Sequence, residues 1–181
     1  MVIFFGPAGS GKSVQGQILA ARKGWRWLSM SQLLRDTGDV DLYKKMQEGG
    51  LVSSDKTNEI MGEALSRGPD SASVILDGYP RKLEQAQWLV DNQPLHGKSI
   101  GLVVVLEVAR AELIRRLDLR GRADDTPEAI DERLKTYRKE IYPILNYFTE
   151  QGVNIIHIDG SGTVGQVHDR VTEELAACKL V

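Results

Sequence analysis

The residues best equipped for chemistry are Gly6-Pro7-Ala8-Gly9-Ser10-Gly11-Lys12-Ser13. They fit G-x-x-x-x-G-K-[ST], the pattern of a loop that cradles phosphate groups. Its glycines let backbone N–H groups turn inward around phosphate oxygens. The helix that follows adds unpaired N–H donors and a partial positive charge. Lys12 can reach the β- and γ-phosphates of a triphosphate, and Ser13 can offer a hydroxyl to Mg²⁺. Gly6, Ala8, Gly9, Ser10, Gly11, Lys12 and Ser13, with Val14 beside them, are therefore candidate triphosphate-binding residues. Asp77 is a second candidate, because it ends the apolar run Ser73-Val74-Ile75-Leu76. An Asp at the carboxyl end of a buried strand stands where open parallel sheets bind ligands, and can hold Mg²⁺ or its waters. A turn or helix-cap role accounts for Asp77 equally well.

Such a loop needs a strand before it and a helix after it. Met1–Phe5 is a short apolar run, and Val14 to Lys23 has apolar residues at helical spacing. Trp25–Leu28, Ser73–Leu76, Ile100–Leu106 and Val153–Ile158 read as four more strands. Helices are expected from Met30, over Asp39–Glu48 (closed by Gly49-Gly50), and over Asp55–Arg67, Lys82–Val90 and Ala111–Leu119. A further helix starts with Thr126 as N-cap and Pro127 at its first position; it runs to about Gln151, bent or interrupted near Pro143. Thr163–Leu175 closes the chain. Strands alternating with helices predict an α/β fold with a parallel sheet covered on both faces. Residues 30–67 form a small helical insertion within a single domain spanning 1–181.

The chain has 181 residues, 23 Lys and Arg against 25 Asp and Glu, and a net charge of −2. That balance gives no case for generic nucleic-acid or membrane binding, so a polyanionic ligand must meet local positive charge. The one cysteine, Cys178, excludes an internal disulfide and a four-cysteine zinc site. No apolar run reaches the roughly 18–20 residues needed to cross a bilayer. No signal peptide is expected before a loop that begins at residue 6, and the protein reads as cytosolic and monomeric. His96, His157 and His168 lack ligand spacing and read as structural or surface residues.

Several segments, in order, resemble the nucleoside monophosphate kinases, adenylate kinase above all. They are the loop Gly6–Gln15; Leu33-Leu34-Arg35; Gly49-Gly50-Leu51-Val52; Asp77-Gly78-Tyr79-Pro80-Arg81 with Gln85-Ala86; Gly121-Arg122-Ala123-Asp124-Asp125; Arg133-Leu134 with Tyr137; and Asp159-Gly160-Ser161. The resemblance covers essentially the whole chain. It implies a five-stranded parallel sheet, Mg²⁺ as cofactor, and reversible transfer of the ATP γ-phosphoryl group to a nucleoside monophosphate. By the same resemblance, core segments 1–29, 68–119 and 123–181 carry a monophosphate-binding subdomain, 30–67, and a minimal lid, 120–125. Arg116, Arg120 and Gly160 join the loop on the ATP side. Met30, Arg35, Leu51, Val52, Gly78, Arg81, Gln85, Arg122 and Arg133 form the AMP side. Lys12, Arg81, Arg116, Arg120, Arg122 and Arg133 are the catalytic set.

Phosphoryl transfer asks for positioning and for neutralisation of an anionic transition state, which suits several converging arginines. Taken singly, Arg116 and Arg120 could be solvated residues of one helix face, and Arg115 is assigned to the surface. Met30 stands where the family usually has Thr near the base, which points away from AMP. Gln85 points toward it, since its amide can pair with an adenine edge. A UMP/CMP kinase is the runner-up. A nucleotide switch would leave Asp77–Arg81 and the arginines without a purpose, and no N-K-x-D run for guanine is present. Only a few residues separate Arg120 from Asp124, so closure is expected to depend on the arginines and residues 30–67 rather than on a folded lid.

Overall fold

The structure, a computed structural model, describes residues 1–42, 52–69, 72–121 and 126–178. Its order is β1 (Val2–Phe5), α1 (Lys12–Lys23), β2 (Arg26–Ser29), α2 (Met30–Asp36), α3 (Ser54–Ser66), β3 (Val74–Asp77), α4 (Leu83–Asn92), a 3₁₀ turn (Gln93–His96), β4 (Leu102–Glu107), α5 (Arg110–Arg120), α6 (Pro127–Glu150), β5 (Ile155–Asp159) and α7 (Val164–Ala177). The five strands form one sheet, β2-β3-β1-β4-β5, in which all pairs are parallel.

Period-two alternation explains why helices cover both faces. Ile3, Phe5, Leu76, Val103 and Val105 point into one apolar cluster, shared with Leu34, Leu65, Leu89, Ile144 and Phe148 from α2, α3, α4 and α6. Val2, Phe4, Ile75, Val104 and Leu106 point into the other, completed by Leu19 from α1 and Val171 and Leu175 from α7. Strands buried on both faces read as continuous apolar runs, which is why the sequence shows them so plainly.

Helix starts follow local capping chemistry. Ser53 accepts from the N–H of Lys56, Thr126 from that of Ala129, and Thr163 from that of Gln166. Each cap satisfies an N–H that the first turn leaves unpaired. Of the bend or interruption expected near Pro143, the interruption is corrected: α6 carries Pro143 inside and is one helix from Pro127 to Glu150. Burial of Ile141, Ile144 and Phe148 on its sheet-facing side holds the helix together across the missing hydrogen bond. The helix expected over Asp39–Glu48 lies mostly outside the described residues. Among those described, no helix is long and apolar enough to cross a membrane.

Candidate active site

β1 lies between β3 and β4, at the point where the strand order reverses, and its carboxyl end runs into the glycine loop. That is the crevice where open α/β sheets bind ligands. Gly11 is the N-cap of α1, at φ 92° and ψ 4°, a left-handed conformation that side chains disfavour. Gly11 has no side chain to bond the free N–H groups, and no acidic residue occupies the first turn of α1. The positive end of the helix is thus left open to an external anion. Inside the loop the N–H of Ser10 donates to the carbonyl of Pro7 at 3.1 Å. The Ser10 hydroxyl is buried with no hydrogen-bond partner. Ser13 is partly buried and Val14 exposed.

Lys12 reaches back over the loop, its Nζ 3.5 Å from the Pro7 carbonyl. Its ammonium pKa is lowered, chiefly by desolvation. Asp77 acts in the opposite direction, and the charges of Arg81 and Arg120 add to the lowering. Lys12, Asp77, Arg81 and Arg120 therefore share one electrostatic field, although they come from α1, β3, the loop after β3, and α5. Asp77 is 3% exposed and pairs in register with Phe4 of β1, which brings it next to the start of the loop. Arg81 Nε bonds the carbonyl of Gly78 at 3.0 Å.

Arg116 organises the other side. Its Nη2 donates to the Gly160 carbonyl at 2.9 Å, its Nη1 lies 3.4 Å from the carbonyls of Gly9 and Ser10, and its Nε bonds Glu112 at 2.7 Å. One guanidinium thus ties the loop after β1 to the loop after β5. Glu112 holds Arg115 as well, and those two hydrogen bonds bring its carboxyl down to about 2. Arg115 is on the surface, as expected, with its side chain 61% exposed. Glu112 carries no motif signal. Only its spacing of three and four residues from the two arginines could have pointed to it.

Met30, Val52, Gly78, Arg81 and Gln85 line one cleft of about 50 Å³, flanked by Thr57 and Tyr79. Gln85 Oε1 accepts from the N–H groups of Arg81 and Lys82, and Nε2 donates to Thr57. Tyr79, 1% exposed, donates to Asn58 Oδ1 at 2.6 Å. Thr57 and Asn58 are components that sequence reasoning missed, since nothing marks them until α3 packs on α4. Arg35 is not drawn into the Lys12 cluster. It sits on the exposed face of α2, and its Nε and Nη2 bond Gln32 Oε1 at 3.2 and 2.6 Å. Arg133 is partly buried on α6, while Leu51 and Arg122 lie outside the described residues. A groove of about 600 Å³ opens beside Ser53, Asp55, Glu84, Trp88 and Asp91. It is larger than the cleft, but its three carboxylates suit it poorly to a nucleotide phosphate.

Ser13 and Asp77 have the oxygen chemistry a hard divalent cation needs. Among the described residues, no group of three or more His, Cys, Asp or Glu could enclose a metal.

Comparison with known proteins agrees with this geometry. The family model described as adenylate kinase matches residues 4–153. An adenylate kinase of Mycobacterium ulcerans (strain Agy99) is 36% identical over 180 residues, covering 96% of this chain and 98% of the relative. One of Mycobacterium tuberculosis (strain H37Rv) is 37% identical over 181 residues, with the same coverage. The loop, the Asp77–Arg81 turn and the arginine-bearing helix α5 all lie within the matched region, and the chain belongs to the adenylate kinase family.

Proposed function

We propose that this protein is a phosphotransferase that moves the γ-phosphoryl group of ATP reversibly to AMP, giving two ADP. The observation that carries the reading is the uncapped start of α1 behind the glycine loop, with Lys12 folded back over that loop and Asp77 in register with β1 beside it. An AMP phosphate oxygen attacks the γ-phosphorus in line. The bond from the γ-phosphorus to the β–γ bridging oxygen breaks, and its electron pair leaves with ADP. Lys12 and the loop N–H groups hold the β- and γ-phosphates. Arg81, with Arg35, holds the AMP phosphate. Arg120, Arg122 and Arg133 close over the transferring group. Arg116 and Gly160 shape the ATP side. Gln85 meets the base above Met30, Leu51 and Val52. Mg²⁺ bound with ATP neutralises phosphate charge, and Ser13 and Asp77 would hold it, chiefly through water.

Residues 30–67 act as the monophosphate-binding subdomain and 120–125 as a minimal lid. With so little lid, exclusion of water depends on the arginines, and some ATP hydrolysis without acceptor is expected. The protein works as a cytoplasmic monomer without nucleic-acid or membrane partners. A UMP/CMP preference remains the competing reading, because Met30 gives the base no polar partner. The test is initial rate with Mg-ATP against AMP, dAMP, CMP, UMP and GMP, with a no-acceptor control. Preference for AMP supports the reading, and preference for CMP or UMP moves the base assignment. Activity with none of them removes the kinase reading.

A further inference from the structure

The loop after β5 is held from two helices. Its carbonyls at Asp159, Gly160 and Ser161 each accept a hydrogen bond from a guanidinium. Arg116 on α5 takes the middle one at 2.9 Å. Arg170 on α7 takes the outer two through one nitrogen, Nη1, at 2.6 Å to Asp159 and 2.8 Å to Ser161. The other carbonyls that Arg116 meets are those of Gly9 and Ser10, so neither arginine duplicates the other. Arg170 stands on a fixed base. Val167, Val171 and Leu175 bury α7 in the core, and Gln15 of α1 bonds the Val164 carbonyl at 2.9 Å. The N–H groups of Gly160 and Ser161 are already spent. That of Gly160 donates to the Glu107 carbonyl at 2.7 Å, and the N–H and hydroxyl of Ser161 donate to the Asp159 carboxylate at 2.9 and 2.8 Å. What remains is oxygen: each carbonyl keeps a second lone pair, and Asp159 is a carboxylate. Phosphate oxygens would meet like charge there, whereas a neutral nucleoside, with its N–H and O–H groups, would meet acceptors.

We infer that Arg170 is a positioning residue for the nucleoside end of ATP: it holds residues 159–161 as a preformed rim beside the phosphate loop, so that a bound nucleoside does not have to order that rim itself. The inference rests on the proposed use of the glycine loop for ATP. A methyl on Gly160 would stand 3.4 Å from the Ser10 carbonyl oxygen, so the rim adjoins the phosphate cradle directly. The Arg170 side chain is 38% exposed, so water can replace part of what it supplies, and its effect is modest in size.

The test uses the full chain and its Arg170→Met and Arg170→Lys variants. It measures the KM for ATP at saturating AMP, the KM for AMP at saturating ATP, kcat, and the inhibition constant of inorganic tripolyphosphate competing with ATP. Tripolyphosphate carries the phosphate chain and no nucleoside, so it reads the phosphate cradle and any general loss of positive charge. Arg170→Met is expected to raise the KM for ATP about three- to fivefold, the scale of partly exposed hydrogen bonds from a charged donor. The tripolyphosphate constant, kcat and the KM for AMP are expected to change less than about twofold. Arg170→Lys, which keeps N–H donors on a shorter stem, is expected to fall between wild type and Arg170→Met. The inference is overturned if Arg170→Met keeps the wild-type KM for ATP, if the tripolyphosphate constant rises in step with that KM, or if lysine raises the KM for ATP more than methionine does. An equal rise in the KM for AMP, with a lowered melting temperature, also overturns it, because the loss would then be one of fold. A wild type that does not phosphorylate AMP overturns the kinase reading and this inference together, whereas turnover of AMP with a KM for ATP indifferent to Arg170 overturns this inference alone.

Discussion

Gly160→Ala puts the ATP side of the site to a physical test. Gly160 is buried between two loops. Its N–H donates to the Glu107 carbonyl at 2.7 Å, and its carbonyl accepts from Arg116 at 2.9 Å. A methyl added there would stand 2.7 Å from Val108 Cγ2, 3.3 Å from the Glu107 carbonyl oxygen and 3.4 Å from that of Ser10. Comfortable carbon–carbon contact begins near 3.5 Å, so the Val108 contact is too short by about 0.8 Å. Val108 can turn, but the two carbonyls belong to β4 and the phosphate loop, so the loop after β5 must withdraw. Overpacking of this kind costs about 1–3 kcal/mol. Taking about 2 kcal/mol, a chain of this size loses roughly 4–8 °C in Tm. Withdrawal also weakens the Arg116–Gly160 bond, by about 1 kcal/mol, which corresponds to roughly a fivefold rise in the KM for ATP. The KM for AMP should stay within about twofold, because the Gln85 cleft is built from other elements. Initial rates with ATP varied at saturating AMP, the converse series, and thermal melts measure all three quantities. Val108→Ala in the Gly160→Ala background removes the closest atom and should recover about half of the lost stability, a coupling within the range seen for touching residues. The reasoning is refuted if Gly160→Ala melts and binds ATP like wild type, or if the double variant is no better than the single.

Other perturbations separate charge, packing and protonation. Lys12→Met should lower kcat by about 10²–10³ while leaving far-ultraviolet circular dichroism unchanged, the usual scale for a lost transition-state contact. Tyr79→Phe leaves the Asn58 oxygen, in a side chain 7% exposed, without its donor; it should cost about 1–2 kcal/mol, read as a lower urea midpoint at an unchanged slope. His168 faces Gln15, with Arg22 on α1 and Asp169 on α7 as its charged neighbours. Desolvation lowers its pKa first, Arg22 lowers it further and Asp169 opposes them. A folded pKa below the unfolded one means the unfolded chain binds the proton more readily. This stability is fully present above the unfolded value of about 6.5 and is lost as pH falls through it toward the folded value. Urea midpoints at pH 7.5 and pH 5 should therefore fall further in wild type than in His168→Gln. Equal falls would show that His168 does not carry the effect.

The parts legible in the sequence are those whose chemistry is local. The loop is a contiguous pattern, and the buried strands announce themselves as apolar runs. Pro143 does not interrupt α6, because its missing N–H is a local defect, whereas Ile141, Ile144 and Phe148 hold the helix by contacts distant in sequence. Thr57, Asn58 and Glu112 were invisible for a related reason: their partners are set by packing or by a salt bridge, not by a motif. Of the structural or surface roles the sequence allows His168, the structure gives the structural one: it is 2% exposed and bonded to Gln15. Gln15 Nε2 bonds the Val164 carbonyl at 2.9 Å, leaving its Oε1 for His168 Nδ1 at 3.1 Å. That bridge ties the helix following the phosphate loop to α7, so the loop rests on a fixed base. Arg35 shows the converse limit. Its motif position was plain, but a side chain that bonds Gln32 on an exposed helix must be released before it can reach a phosphate.

The cations of the site divide by what accompanies them. Arg116 comes with its own carboxylate, Glu112, so its net field is small and its value is geometric: it holds Gly9, Ser10 and Gly160 in one frame. At Lys12 the charge of Asp77 opposes those of Arg81 and Arg120, which push the ammonium downward. A polyphosphate brings negative charge to these cations, so its binding draws on local positive charge and not on the charge of the whole chain. This is how a chain with a net charge of −2 can hold two nucleotides. The positive charge is concentrated where three elements meet, and the carboxylates of Asp55, Glu84 and Asp91 lie together on a different groove. Salt should therefore weaken nucleotide binding more than it weakens the fold, because the ligand answers the clustered charge and the two apolar cores answer everything else.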